Sequence, residues 1–121
     1  MTEPEFTLAE AQALMPEVLD KAAEIVQLRA DLAELTLDLR TAGTSAIGGL
    51  PEGKALEARL GELMEWFGDQ GIEVKGWAPL LIDFPAELDG RSVRLCWLEG
   101  DPELAWYHLS ELGFAGRRQL P

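Results

Sequence analysis

The chain has 121 residues, 47% of them hydrophobic, and its 22 acidic residues against 10 basic ones give a formal net charge of −12. A polypeptide of this length and composition is expected to form one domain, residues 1–121, with a buried core. The acidic excess repels phosphate backbones and anionic lipid surfaces, so we expect neither nucleic acid nor a membrane as a partner.

The cellular location follows from cysteine use and hydrophobicity. A single cysteine cannot form an internal disulfide, which suits a reducing compartment. The first residues lack the basic and apolar stretches of a secretory signal, and no apolar run approaches the about 20 residues of a spanning helix. We therefore expect a cytoplasmic protein.

Two helical segments are predicted before residue 42. Thr7 and Glu10 have the spacing of a capping box, so a short helix is expected over about residues 8–15. Pro16 suits the first position of a new helix, which is expected to run to about residue 41. An apolar seam with alternating three- and four-residue steps continues through both segments: Leu14, Val18, Ile25, Leu28, Leu32, Leu35 and Leu39.

A further helix completes a helical hairpin. The glycine-rich residues 43–53 predict a flexible connection, and the spacing of apolar residues then predicts a helix over about 54–69, ended by Gly71. Two seams of matching period joined by a short loop favour an antiparallel hairpin over about residues 7–70. The longer helical segment should overhang the shorter one.

After Gly71 the hydrophobic period changes from 3.6 to 2, which predicts strands. The clearest lie at about residues 80–84, 92–98 and 104–109, with 72–75 as a short fourth candidate. These form an antiparallel β-meander of three to four strands, with a tail, over about residues 71–121. The expected fold class is α+β, a long antiparallel helical hairpin packed on the meander.

The turn at Asp89-Gly90 sets the strand register. It places Asp83 opposite Cys96, and the next hairpin places Arg94 opposite His108. One face of the sheet then carries apolar residues: Ile82, Phe84, Val93, Leu95, Trp97, Ala105 and Tyr107. The other face carries a mixed set: Leu81, Asp83, Ser92, Arg94, Cys96, Leu98, Leu104, Trp106 and His108.

The mixed face brings the only cysteine and the only histidine near a carboxylate. Asp83, Cys96 and His108 should converge, with Arg94 beside His108. Thiolate, imidazole and carboxylate are zinc ligands, and a cysteine beside a histidine can also form a nucleophile and its base. The alternative is structural, a half-buried cysteine and a hydrogen-bonded histidine, since the sequence has no C-x-x-C or H-E-x-x-H motif.

The same face also carries an apolar band that needs a cover: Leu81, Leu98, Leu104 and Trp106. The C-terminal tail, residues 72–76 or a second copy of the chain could supply it.

The tail from Gly113 to Arg118 places two glycines around an aromatic residue and ends in two arginines. Backbone amides at glycines and paired guanidiniums bind carboxylate or phosphate, so this segment is a candidate anion site with Arg117 as a contact. The alternative is that these arginines pair with carboxylates of the chain itself.

Several short motifs resemble an uncharacterised family of small bacterial proteins known only as a domain of unknown function. The similar pieces are Ile82-Asp83-Phe84-Pro85, Asp89-Gly90-Arg91, Leu95-Cys96-Trp97, His108 and Gly113-Phe114-Ala115-Gly116-Arg117. The resemblance covers nearly the whole chain and implies no established activity.

These observations favour a non-enzymatic module that acts through self-association, as a homodimer, or through a protein partner. A metal-binding protein or enzyme is the first alternative, with zinc or another divalent metal at Asp83, Cys96 and His108. The second alternative is a sensor of small anionic ligands that uses the Gly113–Arg118 tail. No other cofactor is expected, and no catalytic residue can be assigned.

Overall fold

The computed structural model describes residues 5–121. Its regular elements in chain order are α1 (Leu8–Thr41), α2 (Leu50–Asp69), β1 (Glu73–Trp77), β2 (Leu80–Leu88), β3 (Arg91–Leu98), β4 (Trp106–Leu109), a 3₁₀ turn (Phe114–Gly116) and β5 (Arg118–Gln119). The predicted α+β class, with a helical hairpin and an antiparallel sheet, is confirmed. Within the described residues the sheet has five strands, where three or four were predicted.

Residues 5–121 divide into two compact units, one combining residues 5–19 with residues 67–121 and the other formed by residues 20–66. The expectation of one domain stays a prediction. Within residues 5–121, no helix combines the length and the apolar character needed to cross a bilayer.

The unit of residues 20–66 is the helical hairpin. Ile25 and Leu35 of α1 and Leu60 and Leu63 of α2 are buried. The other residues of the predicted α1 seam in this unit are partly exposed: Leu28, Leu32 and Leu39. The Arg59 side chain donates two hydrogen bonds to Glu24 across the hairpin, at 2.6 and 2.8 Å.

Helix α2 begins at Leu50, so the predicted start at residue 54 is wrong. The Gly49 amide donates a 2.7 Å hydrogen bond to Glu52 Oε1, which caps the first turn. Gly53 lies inside the helix because it faces the partner helix closely: a Cβ there would lie 3.3 Å from Leu35 Cδ2. Gly53, which the sequence analysis assigned to the loop, therefore allows close packing of the two helices.

Helix α1 is continuous through Pro16, so the predicted break there is wrong. The capping box before it is confirmed, with Thr7 N donating to Glu10 Oε1 and Glu10 N to Thr7 Oγ1. Proline removes one helical hydrogen bond, but Pro16 is exposed and water can satisfy the freed carbonyl. Burial of Met15 and Val18 on either side favours an unbroken helix and offsets that loss.

The sheet belongs to the other unit and has the strand order β1-β2-β3-β4-β5. The predicted register is confirmed, with Asp83 opposite Cys96 and Arg94 opposite His108. Pro85 lies beyond the end of β1, where its carbonyl accepts a 2.7 Å hydrogen bond from Phe6 N. Five residues of the predicted apolar face are buried: Ile82, Phe84, Val93, Leu95 and Trp97. Its other two members, Ala105 and Tyr107, are partly exposed.

The two outer strands depart most from the sequence prediction. In β1 the register shifts between Val74 and Gly76, so Lys75 is the extra residue of a β-bulge. Strand β5 pairs with β4, placing Gln119 opposite Trp106. The C-terminal tail is therefore part of the sheet.

Candidate metal centre

Asp83, Cys96 and His108 form a buried cluster on the mixed face of the sheet. They come from β2, β3 and β4, and one donor atom of each lies within 4.8 Å of the other two. Their exposed fractions are 4%, 0% and 3%. The structure thus brings together the three residues that the sequence proposed as metal ligands.

The hydrogen bonds of His108 determine what its second nitrogen can do. Nδ1 lies 2.8 Å from the carbonyl oxygen of Leu109, which can only accept, so Nδ1 carries a hydrogen. Nε2 lies 3.1 Å from Asp83 Oδ2. In a neutral imidazole with this tautomer, Nε2 presents a lone pair to the carboxylate oxygen, which is repulsive. The contact therefore requires a proton or a metal ion between the two atoms.

The other carboxylate oxygen of Asp83 is also unusual. Asp83 Oδ1 is buried and has no hydrogen-bond partner among the described residues. Leaving a buried polar atom unpaired is costly, and a carboxylate oxygen in this position is a ready acceptor for a ligand.

Cys96 is a protonated thiol in the protein without metal. Burial, together with the charge of Asp83, raises the pKa of Cys96 to about 12, and the nearby charge of Arg117 opposes that rise only in part. A nucleophilic cysteine needs a thiolate and access to solvent, and Cys96 has neither. A bound metal ion is the agent that deprotonates such a thiol.

A cleft of about 250 Å³ opens beside the cluster. Asp83 and His108 reach it, whereas Cys96 is not among its described lining residues. The cluster is thus closed on the cysteine side and borders the cleft on the other. The remaining walls come from β1, β2, β3 and the segment after β4: Lys75, Leu81, Arg94, Ser110, Gly113 and Phe114.

Arg94 lies beside the cluster, as the sequence predicted, and it is held in an ion pair. Its guanidinium donates to Glu73 Oε1 at 2.9 Å and to Ser110 Oγ at 2.9 Å. Lys75 Nζ contacts the same Glu73 oxygen at 3.4 Å. The sequence reasoning missed Glu73, Lys75 and Ser110, because a β-bulge, which has no residue signature here, turns Lys75 toward the cleft.

Arg117 is placed differently from the other candidates. Its Nη2 donates to Asp101 Oδ2 at 2.7 Å, and its guanidinium carbon lies 4.5 Å from the centroid of the Trp106 ring. Arg117 is not among the described residues that line the cleft. It pairs with a carboxylate of its own chain and covers Trp106, one member of the apolar band.

A family model described as "Uncharacterized conserved protein (DUF2203)" matches residues 5–120, which confirms the resemblance drawn from the motifs. No curated protein and no solved structure matches the chain.

Proposed function

Given that the chain belongs to the uncharacterised family DUF2203, we propose its function from its own residues: it binds one divalent transition-metal ion through Asp83, Cys96 and His108. Zinc is the best fit. The observation that carries the proposal is the 3.1 Å contact between His108 Nε2 and Asp83 Oδ2, beside a second, buried carboxylate oxygen that has no hydrogen-bond partner within residues 5–121.

The donor set selects the metal. Zinc takes sulfur at about 2.3 Å and imidazole nitrogen at about 2.0–2.1 Å, which puts neighbouring ligand atoms of a tetrahedral site roughly 3.3–3.8 Å apart. Donor atoms that already lie within 4.8 Å of one another need only small side-chain movements to reach that spacing. A thiolate ligand disfavours magnesium and calcium, which prefer oxygen.

The surroundings of His108 also suit a metal ligand. Ligating histidines commonly donate their second N–H to a carbonyl or carboxylate, which fixes the tautomer and the orientation of the ring. Nδ1 of His108 makes this bond to Leu109 O. Its Nε2 is thereby left with the lone pair that a metal needs.

The proposed centre has three protein ligands, the number typical of catalytic zinc sites. Structural zinc sites are closed by four protein ligands, whereas catalytic ones keep one position for water or substrate. The cleft borders Asp83 and His108, so a fourth position would open into it. The site therefore fits metal-assisted chemistry better than purely structural metal binding.

Elemental analysis of untagged protein, purified without chelator, tests the proposal. We expect close to one zinc per chain, a fall in Tm when a chelator removes it, and recovery when zinc is restored. Cys96→Ala and His108→Ala should lose the metal. Ser110→Ala, next to the cluster but outside the donor set, should keep it.

A folded wild-type protein that stays metal-free in excess zinc, with an unchanged Tm, would contradict the proposal. That result would mean that a proton, and not a metal ion, lies between His108 Nε2 and Asp83 Oδ2. If the two alanine variants do not fold, cobalt-loaded wild type decides the matter. A sulfur-to-cobalt charge-transfer band is expected, and its absence would exclude Cys96 as a ligand.

Self-association, with a homodimer or another protein as partner, stays a separate proposal. Of the residues that motivated it, Val18 and Leu104 are buried and Trp106 lies under Arg117. Leu14 of the seam and Leu81 and Leu98 of the apolar band are partly exposed. Light scattering at micromolar concentration tests self-association, since a strict monomer would contradict it.

A cytoplasmic location is a further proposal, because a lone reduced cysteine suits a reducing compartment.

A further inference from the structure

We infer that the cleft beside the metal centre binds a small carboxylate or phosphate anion, which takes the open metal position and contacts Lys75. This inference rests on the proposed metal site and names the class of ligand that the site receives.

The size of the cleft limits the ligand. Its volume of about 250 Å³ lies at the lower edge of the usual range for small-molecule pockets. Leu81 and Phe114 supply apolar wall, and Gly113 adds backbone without a side chain. The cleft has the size to hold a small anion such as phosphate or acetate.

The charge of the cleft depends on the metal. Without metal, Lys75 and Arg94 are balanced by Glu73, which contacts both, and by Asp83. A divalent metal ion held by Asp83 and His108 would face the same cleft as Lys75 and Arg94. A ligand in the cleft would then meet the metal ion and the Lys75 ammonium together, and this pair of cations favours an anion over a neutral molecule.

Lys75 is the cation best placed to respond to a ligand. Arg94 is fixed by short bonds to Glu73 and Ser110, and its side chain is only 15% exposed. Lys75 is half exposed and makes a longer 3.4 Å contact with Glu73. The β-bulge in β1 brings this flexible ammonium to the wall of the cleft. A ligand oxygen can take the place of the Glu73 oxygen at little cost.

Titration of cobalt-loaded protein with phosphate and, separately, with acetate tests the inference. The visible absorption bands of cobalt report its ligands, so we expect a saturable spectral change with at least one of these anions. Lys75→Gln should weaken the apparent affinity roughly three- to fivefold, since one half-exposed charge contact is lost. Lys54→Gln, which changes a lysine on α2 paired with Glu57, is the matched control and should behave as wild type.

The outcomes separate the two proposals. A change with phosphate alone assigns a phosphorylated ligand, and a change with acetate alone assigns a carboxylate. Cobalt bound through sulfur, with a spectrum that neither anion alters, overturns the inference and leaves the metal site standing. Equal anion affinity in Lys75→Gln and wild type also overturns it. A protein that binds no cobalt overturns both proposals.

Discussion

Asp83 and His108 lie on strands that are not neighbours in the sheet, yet His108 Nε2 and Asp83 Oδ2 are 3.1 Å apart. Strand β3 runs between them and carries Cys96, the residue directly opposite Asp83. The two side chains meet across this strand, and the Cys96 thiol lies within 4.8 Å of their donor atoms and is fully buried. Three kinds of donor atom are thereby gathered without any local sequence motif.

Cys96 is expected to be chemically inert in the folded protein. Its burial and its pKa of about 12 keep it a neutral thiol at pH 8. A thiol reagent should therefore label the native, metal-free protein very slowly and the guanidinium-unfolded protein at once. Rapid labelling of the native protein at pH 8 would revive the alternative of a nucleophilic cysteine.

The cap of α1 should be sensitive to acid. Hydrogen bonds from the Thr7 backbone and hydroxyl lower the pKa of Glu10 below its ordinary value of 4.5. A carboxyl group with a lowered folded-state pKa stabilises the fold above its unfolded pKa, and this contribution is lost as the pH falls through the folded value. NMR titration should show Glu10 with a depressed pKa that returns toward normal in Thr7→Ala. An unshifted Glu10 in wild type would contradict the observed cap.

The contact between Asp101 and Arg117 should stabilise the C-terminal tail. Asp101 Oδ2 accepts from both Arg117 and the Leu98 amide, and the arginine side chain is only 11% exposed. Removing the carboxylate leaves a largely buried guanidinium without its partner, so Asp101→Ala should cost about 2 kcal/mol in the free energy of unfolding. Urea denaturation measures this.

Asp20→Ala provides the control for that measurement. Asp20 is exposed on α1, and its replacement should change stability by less than about 0.5 kcal/mol. Equal losses in the two variants would show that the tail contact contributes nothing specific.

Gly76 should be intolerant of a side chain. A Cβ at this position would lie 3.1 Å from Pro79 O and 3.2 Å from Leu81 Cβ, so β1 would have to shift. Gly76→Ala should lower stability by about 1 kcal/mol or more. Gly61→Ala has open space on an exposed part of α2 and should raise stability by about 0.5–1 kcal/mol. A Gly76→Ala protein as stable as wild type would contradict the packing of β1.

The central sheet could be predicted from sequence because two strong local signals agree. The Asp89-Gly90 turn fixes one pairing, and the alternation of apolar residues permits one register without mixing the faces. The convergence of Asp83, Cys96 and His108 then follows from topology alone, since side chains on one face of adjacent strands are neighbours.

The parts that sequence reasoning missed depend on tertiary contacts. Helix α1 passes through Pro16 because burial of the neighbouring side chains, Met15 and Val18, outweighs one lost hydrogen bond. Gly53 belongs to α2 because Leu35 packs against its backbone. Lys75 reaches the cleft through a bulge, and β5 forms because β4 offers it a free edge. Local propensity carries none of this information.

Diffraction from crystals of the zinc-loaded protein, recorded at the zinc absorption edge, tests the metal centre most directly. One anomalous peak is predicted at about 2.3 Å from Cys96 Sγ and about 2.0–2.1 Å from His108 Nε2, with an Asp83 oxygen completing the protein ligands. A map with zinc bound only elsewhere, and with His108 Nε2 still directly against Asp83 Oδ2, would contradict it.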